Sequence, residues 1–419
     1  MNYVGRNTVL YLVLISILLL GFSAIPTASA EPLDPQPWEK SEFNPIVDLG
    51  VPGSWDDAGV FWPTVIFENG IYKMWYTGTN GTLPWKIGYA TSTDGLTWTK
   101  YSGNPVMDAG ATDTWDDDAV AAPIVINDNG VYKMWYQGLD FPYWRIGYAV
   151  SNDGINWVKH NTNPVLDLGP AGSWDDFYVS VPKVVYDGST YKMWYTGNDY
   201  PYYRIGMATS PDGISWTKYS GNPVLSGPLV RWSGVTGGSV IFDGEDYHLW
   251  YSLDNTTGPG GPVEIWYAVS SDGVSWINYY NEPVLEVGDA GDWDDTVLKV
   301  PHIMIEFGSV KMWYSGHDGS YNKIGYASFF DSTLAVTSFI SEIEELPDTA
   351  FINSHYKNAF LQKLEAISRS NNDPTEGTVN KLENDILPKI DTWINDDYSN
   401  ERQNLKKGTI DLIKYLREH

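Results

Sequence analysis

Trp55-Asp56-Asp57, Pro63-Thr64-Val65, Tyr72-Lys73-Met74-Trp75-Tyr76-Thr77-Gly78, Ile87-Gly88-Tyr89-Ala90-Thr91-Ser92-Thr93-Asp94-Gly95-Leu96-Thr97-Trp98 and Asn104-Pro105-Val106-Met107 follow one another in a single stretch, and the same order then returns along the chain. The leading tryptophans are Trp55, Trp115, Trp174, Trp232 and Trp293, spaced 58 to 61 residues apart. A period of this length is read before any secondary structure, because it names the architecture. Each unit holds four short apolar or aromatic runs, in the first Val60–Phe67, Tyr72–Tyr76, Ile87–Ser92 and Thr97–Tyr101. Asn69-Gly70 and Asp94-Gly95 stand where tight hairpins require positive φ. Four-stranded antiparallel units repeated at this period are the blades of a β-propeller.

The ends of the repeat argue for a ring rather than a solenoid. The fifth unit stops at Ala327, after its third strand. Its fourth strand is found at the other end of the chain, in Trp38-Glu39-Lys40-Ser41-Glu42-Phe43-Asn44-Pro45-Ile46-Val47, with Trp38 six residues before Asn44 just as Trp98 precedes Asn104. A strand that completes the last blade from the N-terminal side removes the exposed sheet edges. The sequence therefore predicts an all-β five-bladed β-propeller over residues 31–330, its N-terminal strand closing the last blade.

From Asp331 the periodicity turns helical. Phe360, Leu361, Leu364 and Ile367 form one apolar stripe, Leu382, Ile386, Ile390 and Trp393 another, and Leu405, Ile410, Leu412, Ile413 and Leu416 a third. Pro347 and Asp373-Pro374 mark breaks or starts. Residues 331–419 are read as a small all-α domain. This tail resembles the FIMAH domain of some exported microbial proteins, a resemblance that implies no chemistry but suits attachment to a cell-surface partner.

Residues 1–30 read as a signal peptide: Arg6, an apolar run from Val9 to Phe22, then Ala28-Ser29-Ala30 before Glu31. The run is shorter than the ~20 residues of a membrane span, so the expectation is a secreted or cell-surface protein with no membrane insertion after signal removal. No cysteine is present, which excludes disulfides and thiolate metal sites. A formal charge of −27 argues against nucleic acid as a partner. No cofactor and no metal are expected from the spacing of ligating residues.

In a ring of like blades, a residue present in every blade is architectural, and residues that break the repeat are candidates for function. Fifteen of the twenty tryptophans fill three repeated slots, which leaves Trp62, Trp85, Trp144, Trp266 and Trp393. Trp266 replaces a third-strand glycine, and Trp393 belongs to the helical tail. Trp62 lies at the start of an inner strand, and Trp85 and Trp144 end the loops between second and third strands, all at one face around the axial channel. Aromatic rings placed there suit the apolar faces of sugars. The loops Asp140-Phe141-Pro142-Tyr143-Trp144-Arg145 and Asp199-Tyr200-Pro201-Tyr202-Tyr203-Arg204 are near copies, with Asn80 and Lys86, then Asp318 and Lys323, in equivalent slots. Tyr202, Arg145 and Arg204 join the binding set; an acid and a base across a hairpin are also what a loop-stiffening ion pair would use. The Trp-Asp-Asp acids read as acceptors of backbone N–H bonds where the chain enters the inner strand. The Ser-x-Asp-Gly-x-x-Trp segments read as hairpin turns.

Five blades, an inner-strand Pro-x-Val followed by a strand like Tyr72-Lys73-Met74-Trp75-Tyr76, and those hairpins together resemble the furanosidase propellers: the arabinanase, levansucrase and invertase superfamily, including glycoside hydrolase families 43 and 32. The resemblance spans residues 38 to about 330. It implies a catalytic Asp just before the inner-strand proline, an auxiliary Asp in the next blade and a Glu general acid in the third, because glycoside hydrolysis needs one ionised and one protonated carboxyl. This chain departs from that pattern. Trp62, Ala122, Val181 and Val300 precede the proline, with Gly237 in the fourth unit, and none is an acid. After the proline come Thr64, Ile124, Lys183, Ser239 and His302, of which Lys183 and His302 break the repeat and are expected to line the channel. Two readings follow. Either the propeller acts on a polysaccharide or oligosaccharide with catalysis moved to two of Asp118, Asp140, Asp199 and Asp318, or it is a non-catalytic carbohydrate-binding or surface-assembly module.

Overall fold

The computed structural model describes residues 38–227, 234–254, 262–306, 308–331, 335–336, 339–340, 343–344, 346–353, 355–368 and 376–418. Residues 1–30, expected to be a signal peptide, and Trp232, Ser233 and Asp373-Pro374 lie outside them. The chain is mostly β, with a small helical region at its C-terminal end. Its unit is an antiparallel meander. In the first, Gly59–Glu68, Ile71–Thr79, Lys86–Ser92 and Thr99–Lys100 pair in order. The second strand runs past Tyr76 because Thr77, Gly78 and Thr79 go on pairing with the inner strand, and the outer strand is only two residues long. Among the described residues the inner strand returns as Ala119–Asp128, Tyr178–Tyr186, Gly234–Phe242 and Val297–Glu306. Beside Asn322–Phe330, the outer position is taken by Glu39–Lys40, with Glu39 opposite Ser328. The hairpin reading holds at Asn69 and Gly70, where φ is 52° and 75°.

Each inner strand carries a bulge, at the proline in four of them and at Gly237-Gly238 in Gly234–Phe242. The register shifts between Phe61 and Thr64, and Trp62 takes φ 53°, with Ala122, Val181 and Val300 at 46°, 47° and 49°. Positive φ is costly for residues with a Cβ, and most of all for β-branched valine. A hydrogen bond donated to a side chain of the neighbouring meander holds each one. The N–H groups of Ala122, Val181, Gly237 and Val300 donate to the side chains of Thr77, Gln137, Thr196 and Ser252 in the meander before. The Trp62 N–H donates to Ser315 Oγ, which joins the first inner strand to the last meander.

The repeated tryptophans are packing. Trp75, Trp135, Trp194 and Trp313 are fully buried, and their indole N–H groups donate to Gly154, Gly213, Gly273 and Gly95 carbonyls in a different meander. Trp55 lies over Gly78 and Gly88; a Cβ at Gly78 would sit 2.3 Å from its ring. The two aspartates that follow have separate roles. Asp56 is buried and binds Lys100 Nζ at 2.7 Å and the Tyr76 hydroxyl at 3.3 Å, a triad repeated at Asp116, Asp175 and Asp294. Asp57, Asp117, Asp176 and Asp295 accept the backbone N–H four residues earlier. The expected N–H acceptor is thus the second acid of each pair, because the first is turned into the sheet. In the fourth unit Asn278 replaces the lysine, and Tyr251 donates to it instead.

The C-terminal region packs helices His355–Ser368, Glu376–Lys381, Leu387–Trp393 and Ser399–Glu418 around Phe360, Leu364, Leu382, Ile386, Ile390, Leu405, Leu412 and Ile413. Trp393 stacks on Tyr356 with ring centroids 4.6 Å apart. Ile410, expected in the stripe, faces solvent, since Leu412 and Ile413 take the buried side of that turn. No described helix is long and apolar enough to cross a membrane.

Candidate functional site

Parallel contacts between successive meanders bring the starts of the third strands beside the starts of the next inner strands: Trp85 beside Ala119, Trp144 beside Tyr178, and Tyr203 beside Gly234. Residues far apart in sequence therefore meet around one depression. A cavity of about 400 Å³ is walled on one side by Trp62, Trp85 and Trp144. The Trp62 and Trp85 rings are 6.0 Å apart, and Trp85 and Trp144 5.9 Å. Phe61 supports both of the first two, edge-on, at 4.8 and 5.4 Å. A second cavity of about 370 Å³ adjoins the first through Trp62, Trp85 and Lys299.

Elsewhere the cavity is largely polar. Gln137, Ser180, Thr196 and Thr236 line it, with Tyr178 and Tyr203 at the rim and Asp254 and Lys299 as the charged pair. Burial pushes the Lys299 ammonium pKa down, and the Asp254 carboxylate opposes that shift. Asp254 is the one carboxylate on the described cavity wall. On the neighbouring strand, half-buried Glu264 pairs with Leu253 beside Asp254 and is held above the usual carboxylate range by burial and by the Glu286 charge. The Thr236 hydroxyl is buried with no partner among the described residues, so this wall has hydrogen-bonding capacity left for a ligand.

The remaining sequence-predicted residues lie elsewhere. Lys183 and His302 line neither cavity; they are buried beneath it, where His302 Nε2 meets the Val65 carbonyl at 2.7 Å. They sit two positions beyond the bulge, opposite the buried Trp194 and Trp313, which places them inside rather than at the mouth. Arg145 bridges Asp140 at 3.6 Å and Asp167 at 3.0 Å, and Arg204 bridges Asp199 at 3.1 Å. Lys86 and Lys323 reach Asp108 and Asp48 instead of crossing their hairpins to Asn80 and Asp318. Asp318 accepts the N–H groups of Ser320 and Tyr321 and so shapes its own turn. Tyr202 stacks near Arg204 outside the cavity lining. Oxygens of Asp117, Asp118 and Asp140 lie within 4.8 Å of one another. Asp117 and Asp118 there accept the N–H groups of Asp113 and Phe141, and Asp140 faces Arg145.

Gln137 and Lys299 were open to sequence reasoning. Gln137 stands where the other units have Thr77, Thr196, Ser252 and Ser315. Lys299 stands where they have Phe61, Ala121, Ser180 and Thr236. Both break the repeat at slots that the search for acids beside the proline passed over.

Residues 131–300 match the family model of beta-1,4-mannooligosaccharide phosphorylase, glycoside hydrolase family 130. It is a different family from the furanosidases that the sequence resembles, of the same propeller class. An uncharacterized protein of Mycobacterium tuberculosis is 36% identical over 183 residues, 41% of this chain and 58% of that protein. The chain thus spans just over half the length of that relative. The 1,2-beta-oligomannan phosphorylase of a Thermoanaerobacter species is 27% identical over 239 residues, 54% of this chain and 74% of the relative. A glycosyl hydrolase structure from Bacteroides ovatus superposes with a TM-score of 0.56 at 19% identity, covering 70% of this chain and 93% of that one. At that identity the likeness is one of fold.

Proposed function

We propose that this chain is a carbohydrate-active propeller of the mannooligosaccharide phosphorylase and hydrolase kind, which seats a β-mannoside in the cavity. The carrying observation is a cavity lined both by the Trp62–Trp85–Trp144 cluster and by polar groups that include Asp254 and Lys299. Sugars present an apolar ring face and a hydroxylated edge, so one aromatic wall and one hydrogen-bonding wall match the two. The family match and the Thermoanaerobacter relative support the substrate class.

Among the two chemistries, phosphorolysis suits this wall better. Hydrolysis needs a second carboxylate to activate water or to attack. In phosphorolysis, phosphate attacks the anomeric carbon, the glycosidic C–O bond breaks, and a single carboxyl group protonates the leaving oxygen. Asp254 is assigned that proton donation, and Lys299 the attraction of phosphate. The second reading, a binding module, is favoured by the same single acid.

The wider organisation belongs to the same proposal. The five meanders are taken as blades of a closed wheel, supported by the bond from Trp62 N–H to Ser315 Oγ and by Glu39–Lys40 beside the last meander. Residues 1–30 are taken as an export signal, 31–330 as the propeller and 331–419 as a helical attachment domain.

The test is incubation with β-1,2- and β-1,4-linked mannooligosaccharides, with and without phosphate, following tryptophan fluorescence and products. Sugar 1-phosphate formed only with phosphate supports phosphorolysis, and free sugar without phosphate supports hydrolysis. Saturable quenching without products supports the binding module, and no quenching by any of them overturns the proposal.

A further inference from the structure

Beyond the cavity, an aromatic path leaves the site over the rim between the second and third meanders. Tyr178 and Tyr203 line the cavity with ring centroids 6.4 Å apart. Tyr178 meets Phe177 at 4.7 Å, and Phe177 in turn meets Tyr143 and Tyr200, each at 5.8 Å. Tyr143 and Tyr200 are exposed at 38% and 53%, far more than the packed tyrosines of the sheet.

These rings are held, not loosely hung. Tyr143 pairs with Asp140 across a tight hairpin, with the Arg145 guanidinium over its ring. Tyr200 takes φ 47°, a conformation costly for an aromatic residue, and its N–H donates to the buried Asn198 side chain. Strain retained at an exposed aromatic residue points to use of that ring. The carboxylates and guanidinium groups of Asp140, Arg145, Asp199 and Arg204 flank it.

We propose that this path is a distal subsite for further sugar units of the same chain, so that the preferred ligand is an oligosaccharide extending from the cavity over Tyr178 and Phe177 to Tyr143 and Tyr200. The proposal rests on the carbohydrate reading of the cavity. Continuity with the cavity decides the occupant: the path begins on two of its lining residues, and it is a narrow line of rings between charged groups. A stable protein partner needs a broader face. Exposed rings offer each added sugar a stacking surface, while neighbouring charged groups offer partners to its hydroxyls.

The test is titration of the full chain with β-mannooligosaccharides of two to eight units, for wild type and for Tyr143→Ala/Tyr200→Ala. Wild-type affinity should rise by about tenfold or more from the shortest to the longest ligand, roughly one decade per 1.4 kcal/mol. The double variant should lose that rise while binding the shortest ligand as wild type does. Conservative Tyr143→Phe/Tyr200→Phe should restore it, since the ring carries the contact. A length-independent wild-type affinity overturns the distal subsite and leaves the cavity reading standing. A uniform loss at every length in the double variant, with a lowered Tm, also overturns it, because it assigns the rings to hairpin packing. Absence of binding at any length overturns both.

Discussion

Ser315 Oγ accepts the backbone N–H of Trp62 at 2.7 Å, across 253 residues of sequence. One hydroxyl thereby links the last meander to the first inner strand and fixes the backbone that carries a cavity-wall tryptophan. Removing that acceptor leaves a part-buried N–H unpaired at a left-handed bulge. Ser315→Ala should destabilise the chain by about 1–3 kcal/mol in denaturant titration, and Ser315→Thr should recover most of it. An unchanged midpoint in Ser315→Ala would remove the latch role.

The Asp56–Lys100–Tyr76 triad makes a second prediction. Asp56 is buried while Lys100 keeps part of its side chain in water. Lys100→Met leaves the Asp56 charge with only the neutral hydroxyls of Tyr76 and Ser54 as side-chain partners among the described residues. The cost should be about 3 kcal/mol, the lower end for a broken buried pair, given the lysine's partial exposure. Asp56→Asn/Lys100→Met, which removes both charges, should cost less than Lys100→Met by itself. Equal losses in the two would count against the ion pair.

Lys183 and His302 predict a pH dependence. Burial lowers the Lys183 pKa from 10.5 to about 7, and burial with the nearby Lys183 charge lowers His302 from 6.5 to about 3. Both groups bind fewer protons folded than unfolded between those limits, so stability rises with pH there. For Lys183 the rise runs from pH 7 towards 10.5 and the penalty is complete below 7. For His302 stability falls as pH drops from 6.5 towards 3. Each slope approaches about 1.4 kcal/mol per pH unit. Lys183→Met should flatten the alkaline limb and His302→Gln the acid limb of a stability profile; persistence of either limb would show that another group carries it.

Trp85 stands between Trp62 and Trp144 in the aromatic wall. Trp85→Ala should weaken sugar binding by about tenfold, about 1.4 kcal/mol, while Trp393→Phe in the helical region leaves it unchanged. Affinity retained in Trp85→Ala would detach the aromatic wall from recognition.

Much of the architecture was readable from local pattern. Strand runs, the Asn69-Gly70 hairpin, the Trp75 packing slot and the placing of Glu39–Lys40 beside the last meander each follow from residues that recur at one spacing. Periodicity records what every unit needs in order to pack, so it is strong where the physics is the same five times over. It also separated Trp62, Trp85 and Trp144 from the packing tryptophans.

What periodicity could not supply was convergence. Lys299 and Asp254 reach the cavity with Trp144 only because strands from different meanders come together, and no local spacing encodes that meeting. Lys183 and His302 carried the same signal of broken repetition, yet two residues along an inner strand separate the open depression from a buried interior. Burial depth depends on how neighbouring meanders pack, and so the tertiary structure alone decided which odd residues line the cavity.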